Sequence, residues 1–487
     1  MKALNIFLLL IFSFYIFSSL FLQTIHPPVW PDEAIYAEVV ENVIATGTIK
    51  SELWKDAIIN IQTKAMWNPP LFFYEYALWQ QVWGESIYYQ RALVQIVGFA
   101  ALVILFLLLK KKHLAAHVLL PLALWVSNVV VAKSTRLARP EIFVLMFGLL
   151  GLYLMSRAHE DNKKNNYLLF GLAGLAFGMS ILNHIIGIIF IIGTLASIIF
   201  QEKNNLLRKY SVVFLTCLVT LLPWLFDVYL HWNTFLQQFN LSSYPRSLVA
   251  SWLHVDLLTG ELLQRVVLAS YLILSLYIVT LLLQKIFLLK KKVLAIQALS
   301  VSMLAIAWIL SVKGKSEFYS IYPITLTILA TYYFISDASF STHRKRLLQL
   351  SACILIAQII QTISLINGAA QGGYKYEAFA NAVASKIPEE SSVFLTAIPD
   401  PYYGLTSKKG ITLYEFPAVP IARDKYLNIL NDSDYVVYNG HFEAHLFGNF
   451  ITTYIQKNLE SKSEVHAGGY DVFVFKLIDK TKRITDF

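Results

Sequence analysis

Residues 89–112 read YQRALVQIVGFAALVILFLLLKKK. From Tyr89 to Leu109 the run is almost wholly apolar, and Lys110–Lys112 close it. A helix of about twenty apolar residues crosses the ~30 Å hydrocarbon layer of a bilayer, and a lysine cluster at its end marks the cytoplasmic side. Read this way, the stretch makes the chain an integral membrane protein, and the rest of the sequence repeats the pattern. Apolar runs recur at 4–25, 114–132, 141–157, 166–182, 184–200, 210–230, 262–289, 293–312, 318–336 and 347–366, so about eleven transmembrane helices are expected.

Composition agrees. Of 487 residues 56% are hydrophobic and only 15% charged, against roughly 25% charged in a soluble domain; the mean hydropathy is +0.55. The net charge of +9 comes from Lys and Arg clustered between apolar runs instead of forming one basic face, which argues against a nucleic-acid partner. Cys217 and Cys353 both fall inside apolar runs, where a thiol behaves as a small hydrophobe, so no disulfide framework or cysteine-based metal site is implied. The N-terminal apolar stretch is longer than a cleavable signal and lacks a small-x-small site before Pro27, so it reads as a retained first span.

Orientation follows from the basic clusters. Lys110–Lys112, Arg157 with Lys163 and Lys164, Lys203 with Arg208 and Lys209, Lys290–Lys292 and His343–Arg346 all fall on one side if the N-terminus is cytoplasmic. Residues 26–88, 133–140, 231–261, 313–317 and everything after 366 then lie outside, at the plasma membrane's extracytoplasmic face. Splitting 166–200 into two spans at His184 is what keeps the later clusters inside.

The first external segment, 26–88, is long and reads as helices on the membrane surface. Ala34, Ala37, Val40 and Ile44 repeat at helical spacing up to Gly47. A second helix is expected in NPPLFFYEYALWQQVWG, whose Phe72, Phe73, Tyr74, Trp79 and Trp83, with Trp67 just before it, suit an interface or the entry for a lipid tail. After residue 366 the runs SSVFLTA, DYVVYNG and YDVFVFKL are strand-like, so 367–487 are expected to form a small soluble α/β domain outside a 1–366 membrane domain.

Asp32 and Glu33 stand side by side where the first span leaves the membrane. They can simply cap a helix after Pro31, or serve as a base or cation ligand near the lipid head groups. Arg136, Arg139 and Glu141 crowd a short external turn, where an interfacial ion pair is the plain reading.

Taken in order, these segments resemble the GT-C class of membrane glycosyltransferases, particularly the protein mannosyltransferase-like branch and the bacterial aminoarabinose transferases acting on lipid A. The matching residues are Asp32 and Glu33, Pro69 to Phe72, Arg91, and Arg136 through Glu141. More weakly, GMSILNHIIGIIF matches with His184, and KGKSEFYSIYPI with Lys315, Tyr319 and Pro323. The Glu-Lys-Pro-Pro form of the second segment is replaced by MWNPP, which leaves the acceptor open.

The resemblance implies a polyprenyl-phosphate-linked sugar donor (undecaprenyl or dolichyl) and a membrane-lipid, glycan or protein acceptor, with inverting transfer of a hexosyl or pentosyl unit. It implies Asp32 as the key acid, with Glu33 and Glu141 supporting it and a divalent cation such as Mg or Mn conceivable on the three. Arg139, His184, Arg246, Arg265, Lys315 and Tyr319 are the candidates for donor phosphate and substrate. A transporter or flippase is the main alternative, and a structural or sensory protein the third. Transporters, however, place ionisable groups near mid-membrane and show related halves, neither of which is seen here.

Overall fold

The computed structural model describes residues 2–110, 116–160, 166–196, 206–247, 319–336, 341–416, 423–440 and 448–484, with scattered helical positions between 270 and 306. Apolar helices dominate the described residues up to 372. Among the described residues four helices are long and apolar enough to cross a membrane, Ile87–Leu109, Glu141–His159, Leu207–Leu230 and Thr342–Gly372, and Asn5–Phe21, Tyr167–Asn183, Ile185–Leu195 and Ile321–Ser336 are shorter apolar helices. The spans expected at 262–289 and 293–312 lie largely outside the described residues.

In chain order the membrane part comprises α1 (Lys2–Phe21), α2 (Pro31–Thr46), α3 (Leu71–Trp83), α4 (Ile87–Leu109), α5 (Ala116–Val126), α6 (Val129–Ser134), α7 (Glu141–Glu160) and α8 (Tyr167–Asn183). It continues with α9 (Ile188–Ala196), α10 (Leu206–Leu230), α11 (Trp232–Ser247), α12 (Ile321–Ser336) and α13 (Ser341–Gly372). The expected span 114–132 is broken: the Asn128 side chain accepts from the backbone N–H groups of Val130 and Val131 and starts α6 as a separate short helix. Between α8 and α9 the chain doubles back through an extended His184 (φ −161°, ψ 139°). Gly187 then packs on Ser180, where a β-carbon would lie 2.5 Å from a backbone carbon.

Small residues set the helix spacing, as in lipid, where close backbone approach replaces the hydrophobic drive. On α8, Gly174 faces Val213 and Thr216 and Gly178 faces Thr220, all on α10, while Gly151 of α7 receives the Phe177 ring. The α12 helix is buried almost throughout, and Trp125 Nε1 donates to its Thr325 hydroxyl at 2.9 Å.

Beyond α13 lie α14 (Tyr376–Ser385), β1 (Ser392–Thr396), α15 (Tyr402–Leu405), β2 (Thr412–Glu415), α16 (Arg423–Asp432), β3 (Tyr435–Tyr438), α17 (Gly448–Lys457), β4 (Leu459–Ala467) and β5 (Tyr470–Leu477). The sheet order is β2-β1-β3-β5-β4, with β1 parallel to both neighbours and β5 antiparallel to β3 and β4. This layer is fastened to the first external segment. Asp400 N–H donates to Val29 O (2.9 Å), Glu415 N–H to Leu53 O (3.2 Å) and Lys425 Nζ to Ala57 O (3.1 Å).

Candidate active site

The site is built where α2 begins. Trp30 is extended, Pro31 supplies the first helical φ, and Asp32 and Glu33 occupy the first turn. Adjacent helical residues point about 100° apart, and here the two carboxylates part company.

Glu33 turns inward. It is fully buried and pairs two-pronged with Arg91, with Nε to Oε1 at 2.8 Å and Nη2 to Oε2. Its oxygens also accept from Ala138 N–H (2.8 Å) and Trp30 N–H (3.0 Å). Arg91 spends its remaining donors on the carbonyls of Gln23, Pro27 and Pro28. Glu33, expected to support Asp32, has both oxygens bonded to the protein, because a buried carboxylate must be paired and hydrogen-bonded.

Asp32 turns outward and keeps 29% side-chain exposure, while Arg139 has 11% and Glu141 2%. Pro140 ends the turn before α7, so Arg139 leaves the helix direction and its guanidinium lies between two acids. Nη1 meets Asp32 Oδ2, and Nη2 meets Glu141 Oε1 at 2.7 Å, supported by Nε at 3.2 and 3.3 Å. Tyr322 on α12 donates to the Glu141 carbonyl at 3.2 Å.

His184 closes the far wall. Its Nδ1 accepts from Ile186 N–H at 3.2 Å, so the neutral ring carries its proton on Nε2, which lies 3.2 Å from the Tyr319 hydroxyl. Tyr319 and Tyr322 lie close to the Arg139 guanidinium. Asp32, Arg139, Glu141, His184 and Tyr319, drawn from α2, the turn before α7, α7, the α8–α9 break and the approach to α12, are thus linked side by side. Lys315 and Arg265 lie outside the described residues, and only the backbone of Arg246, in α11, is described.

Arg136 goes elsewhere, its Nη1 reaching the His26 carbonyl at 3.4 Å. Of the external aromatics, Phe72 and Phe73 are core residues, packed on Tyr36 and, for Phe72, on Phe143, whereas Tyr74 and Trp83 are exposed. Arg91 and Tyr322 are polar groups of this region that residue patterns did not single out as site residues.

For a metal, the fit is poor. Arg139 already occupies the space between Asp32 and Glu141, and among the described residues no three His, Cys, Asp or Glu side chains gather at metal-binding distance. A divalent ion would have to displace the guanidinium.

Residues 67–226 match the family described as dolichyl-phosphate-mannose-protein mannosyltransferase. No curated protein matches the chain in sequence. The fold is similar to that of ArnT from Cupriavidus metallidurans bound to undecaprenyl phosphate, at TM-score 0.60 and 13% identity, covering 98% of this chain and 99% of that one. It is also similar to the Archaeoglobus fulgidus oligosaccharyltransferase in its apo form, at TM-score 0.54 and 12% identity over 89% of this chain and 70% of that one. The archaeal oligosaccharyltransferase AglB from A. fulgidus, solved with an inhibitory peptide and a dolichol-phosphate, gives TM-score 0.51 and 11% identity over 96% and 74%. At these identities the likeness is one of fold.

Proposed function

We propose that the chain is a glycosyltransferase of the GT-C class, moving a sugar from a polyprenyl phosphate to an acceptor at the extracytoplasmic face of the membrane; the family match over residues 67–226 and the shared fold support this. The carrier is undecaprenyl or dolichyl phosphate, the lipids bound in the structures of the fold relatives ArnT and AglB. The acceptor is a cell-envelope lipid, a glycan or a protein.

Breaking the anomeric C–O bond leaves negative charge on the departing phosphate while the acceptor attacks the opposite face, which inverts the anomeric carbon. The reaction needs a carboxylate to orient or deprotonate an acceptor hydroxyl and cations to receive the phosphate charge. Asp32 takes the first role, and the observation that supports it is its selective exposure: of the three acids it alone retains open surface while its neighbours are consumed by protein contacts. Glu141 holds Arg139, and Arg139 holds Asp32. Glu33 and Arg91 act as positioning residues, because one carboxylate fixes both the start of α2 and the Ala138 N–H next to Arg139.

For the phosphate we assign Lys315, Arg246 and Arg265 together with Arg139, His184 and Tyr319. Arg forks onto phosphate oxygens and Lys supplies a mobile point charge. The reading is tested by incubating purified protein in detergent with polyprenyl-phosphate sugars and following release of the bare polyprenyl phosphate. Sugar-dependent release supports it, and activity that exists only across a sealed membrane would support transport instead.

A further inference from the structure

Where α1 ends at Phe21, the C-terminal layer comes to rest against it through α14, and two adjoining cavities lie in the seam. The first, of about 400 Å³, is bounded by Leu20 and Phe21 of α1, by Thr24 beyond it and by Lys375 just ahead of α14. The second, of about 350 Å³, is bounded by Glu85 before α4, by Asn381 of α14 and by Ser407 after α15. Tyr88 and Glu377 line both, so the two cavities run together as one groove. None of Asp32, Arg139, Glu141, His184 and Tyr319 lines either of them.

The rim of the groove sits at head-group depth on both sides. Phe17, Leu20 and Phe21 form an exposed apolar stripe that runs up α1 to the mouth of the first cavity. At the turn from α3 to α4, Trp83 and Tyr89 are exposed with their rings 6.5 Å apart, the residue types of a membrane–water boundary. Along the groove the chemistry changes in order. Lys375, the one basic side chain among the lining residues, stands beside the apolar mouth, Glu377 follows, and Glu85 lies in the cavity beyond. Among the described residues none of the three has an ion-pair partner. Glu41 of α2 hydrogen-bonds Glu85; burial first, and then the Glu85 carboxyl, pushes Glu41 up to about 8, so it is protonated near neutral pH and adds no second charge there.

We propose that this groove binds a membrane phospholipid whose headgroup ends in a primary ammonium, a phosphatidylethanolamine, at a site separate from the candidate active site. Its acyl chains follow Phe17, Leu20 and Phe21, its phosphate meets Lys375, and its ammonium lies between Glu377 and Glu85. The sequence apolar, cationic, anionic on the protein thus answers tail, phosphate, ammonium on the lipid. A primary ammonium donates three hydrogen bonds, and the two carboxylates with the Asn381 or Ser407 side-chain oxygen supply three acceptors. Phosphatidylglycerol would bring only negative charge to the acids, and phosphatidylcholine brings the positive charge without N–H donors. The lipid is neither donor nor acceptor of the transferred sugar; it ties α14 of the C-terminal layer to α1 and to the start of α4.

The test mixes the full-length protein in detergent with equal amounts of dioleoyl phosphatidylethanolamine, phosphatidylcholine and phosphatidylglycerol and reads the retained lipid by native mass spectrometry. The wild type is expected to retain the ethanolamine lipid about tenfold over the glycerol lipid, with the choline lipid between them. Glu85→Gln combined with Glu377→Gln is expected to erase that preference, and Lys375→Gln to lower retention of the ethanolamine and choline lipids alike. Ser407→Trp fills the second cavity with every charge intact and is expected to lower retention of the ethanolamine lipid about tenfold. All four positions are exposed, so melting without added lipid is expected to match the wild type; if the paired variant melts lower, Ser407→Trp decides. A wild type that shows no preference for the ethanolamine lipid, or favours the glycerol lipid, overturns the site. A preference that survives Ser407→Trp overturns it as well, because the lipid would then sit elsewhere. Either failure leaves the glycosyltransferase reading standing, since neither a sugar nor a polyprenyl lipid enters the measurement.

Discussion

The Arg91 guanidinium and the Glu33 carboxylate form a two-pronged ion pair with no solvent exposure on either side. The pair joins three pieces of chain: Arg91 on α4 holds the carbonyls of Gln23, Pro27 and Pro28, and Glu33 holds the Ala138 N–H. Removing one partner strands the other charge in a dry interior, which costs about 3–5 kcal/mol. Glu33→Gln and Arg91→Lys are therefore expected to lower the melting temperature in detergent together with turnover. Unchanged melting with lost turnover would instead give Glu33 a direct chemical role.

Arg139 is expected to be needed for rate as well as for stability, since its loss also strands the buried Glu141 carboxylate. Arg139→Ala leaves Asp32 and Glu141 unbridged, with an expected fall in kcat of about 10²-fold or more. Arg139→Lys should restore only part, because a point charge cannot fork onto two carboxylates at once. Full activity in Arg139→Lys would contradict the bridging role.

The seam between the sheet and the first external segment carries its own titration. Asp400 and Glu415, both fully buried, lie against each other, and their backbone N–H groups bond Val29 and Leu53. Burial pushes the Asp400 carboxyl up to about 6 and Glu415 well above the usual carboxylate range, with Asp400 adding to the latter shift. Glu33, Arg91, Tyr376, Tyr402 and Tyr403 are the other titratable groups around this seam. Both pKa values are raised on folding, so the pair's stabilisation is full below the ordinary carboxylate range and is lost as pH climbs through about 6 and beyond. Melting measured against pH should fall on the alkaline side, and Glu415→Gln, whose amide replaces the shared proton, should flatten that fall. An identical alkaline fall in the variant would remove the pair from the account.

Chelation separates Arg139 from a metal as the charge partner of the acids. Turnover is expected to survive EDTA, since the guanidinium already balances Asp32 and Glu141. Loss on chelation and recovery with Mg or Mn would mean that the acids release Arg139 to hold an ion.

Much of this architecture was legible in residue order. The apolar runs with basic ends announce α4, α7, α10 and α13; Pro31 and Gly47 bracket α2, and SSVFLTA, DYVVYNG and YDVFVFKL become β1, β3 and β5. Strand β4 escaped notice because it is largely exposed and carries no apolar alternation. The break at Asn128 depends on one side chain capping a helix inside an apolar run. The separate fates of Asp32 and Glu33 were not legible, since their partners Arg139 and Arg91 stand 107 and 58 residues away.

The central claim is that Asp32 performs or directs the attack on the sugar. The decisive measurement is the turnover of a polyprenyl-phosphate sugar by Asp32→Asn, purified in detergent and melting like the wild type. The account predicts a fall of about 10²- to 10⁴-fold, the contribution of a positioned acid–base group. Turnover at the wild-type rate would contradict it.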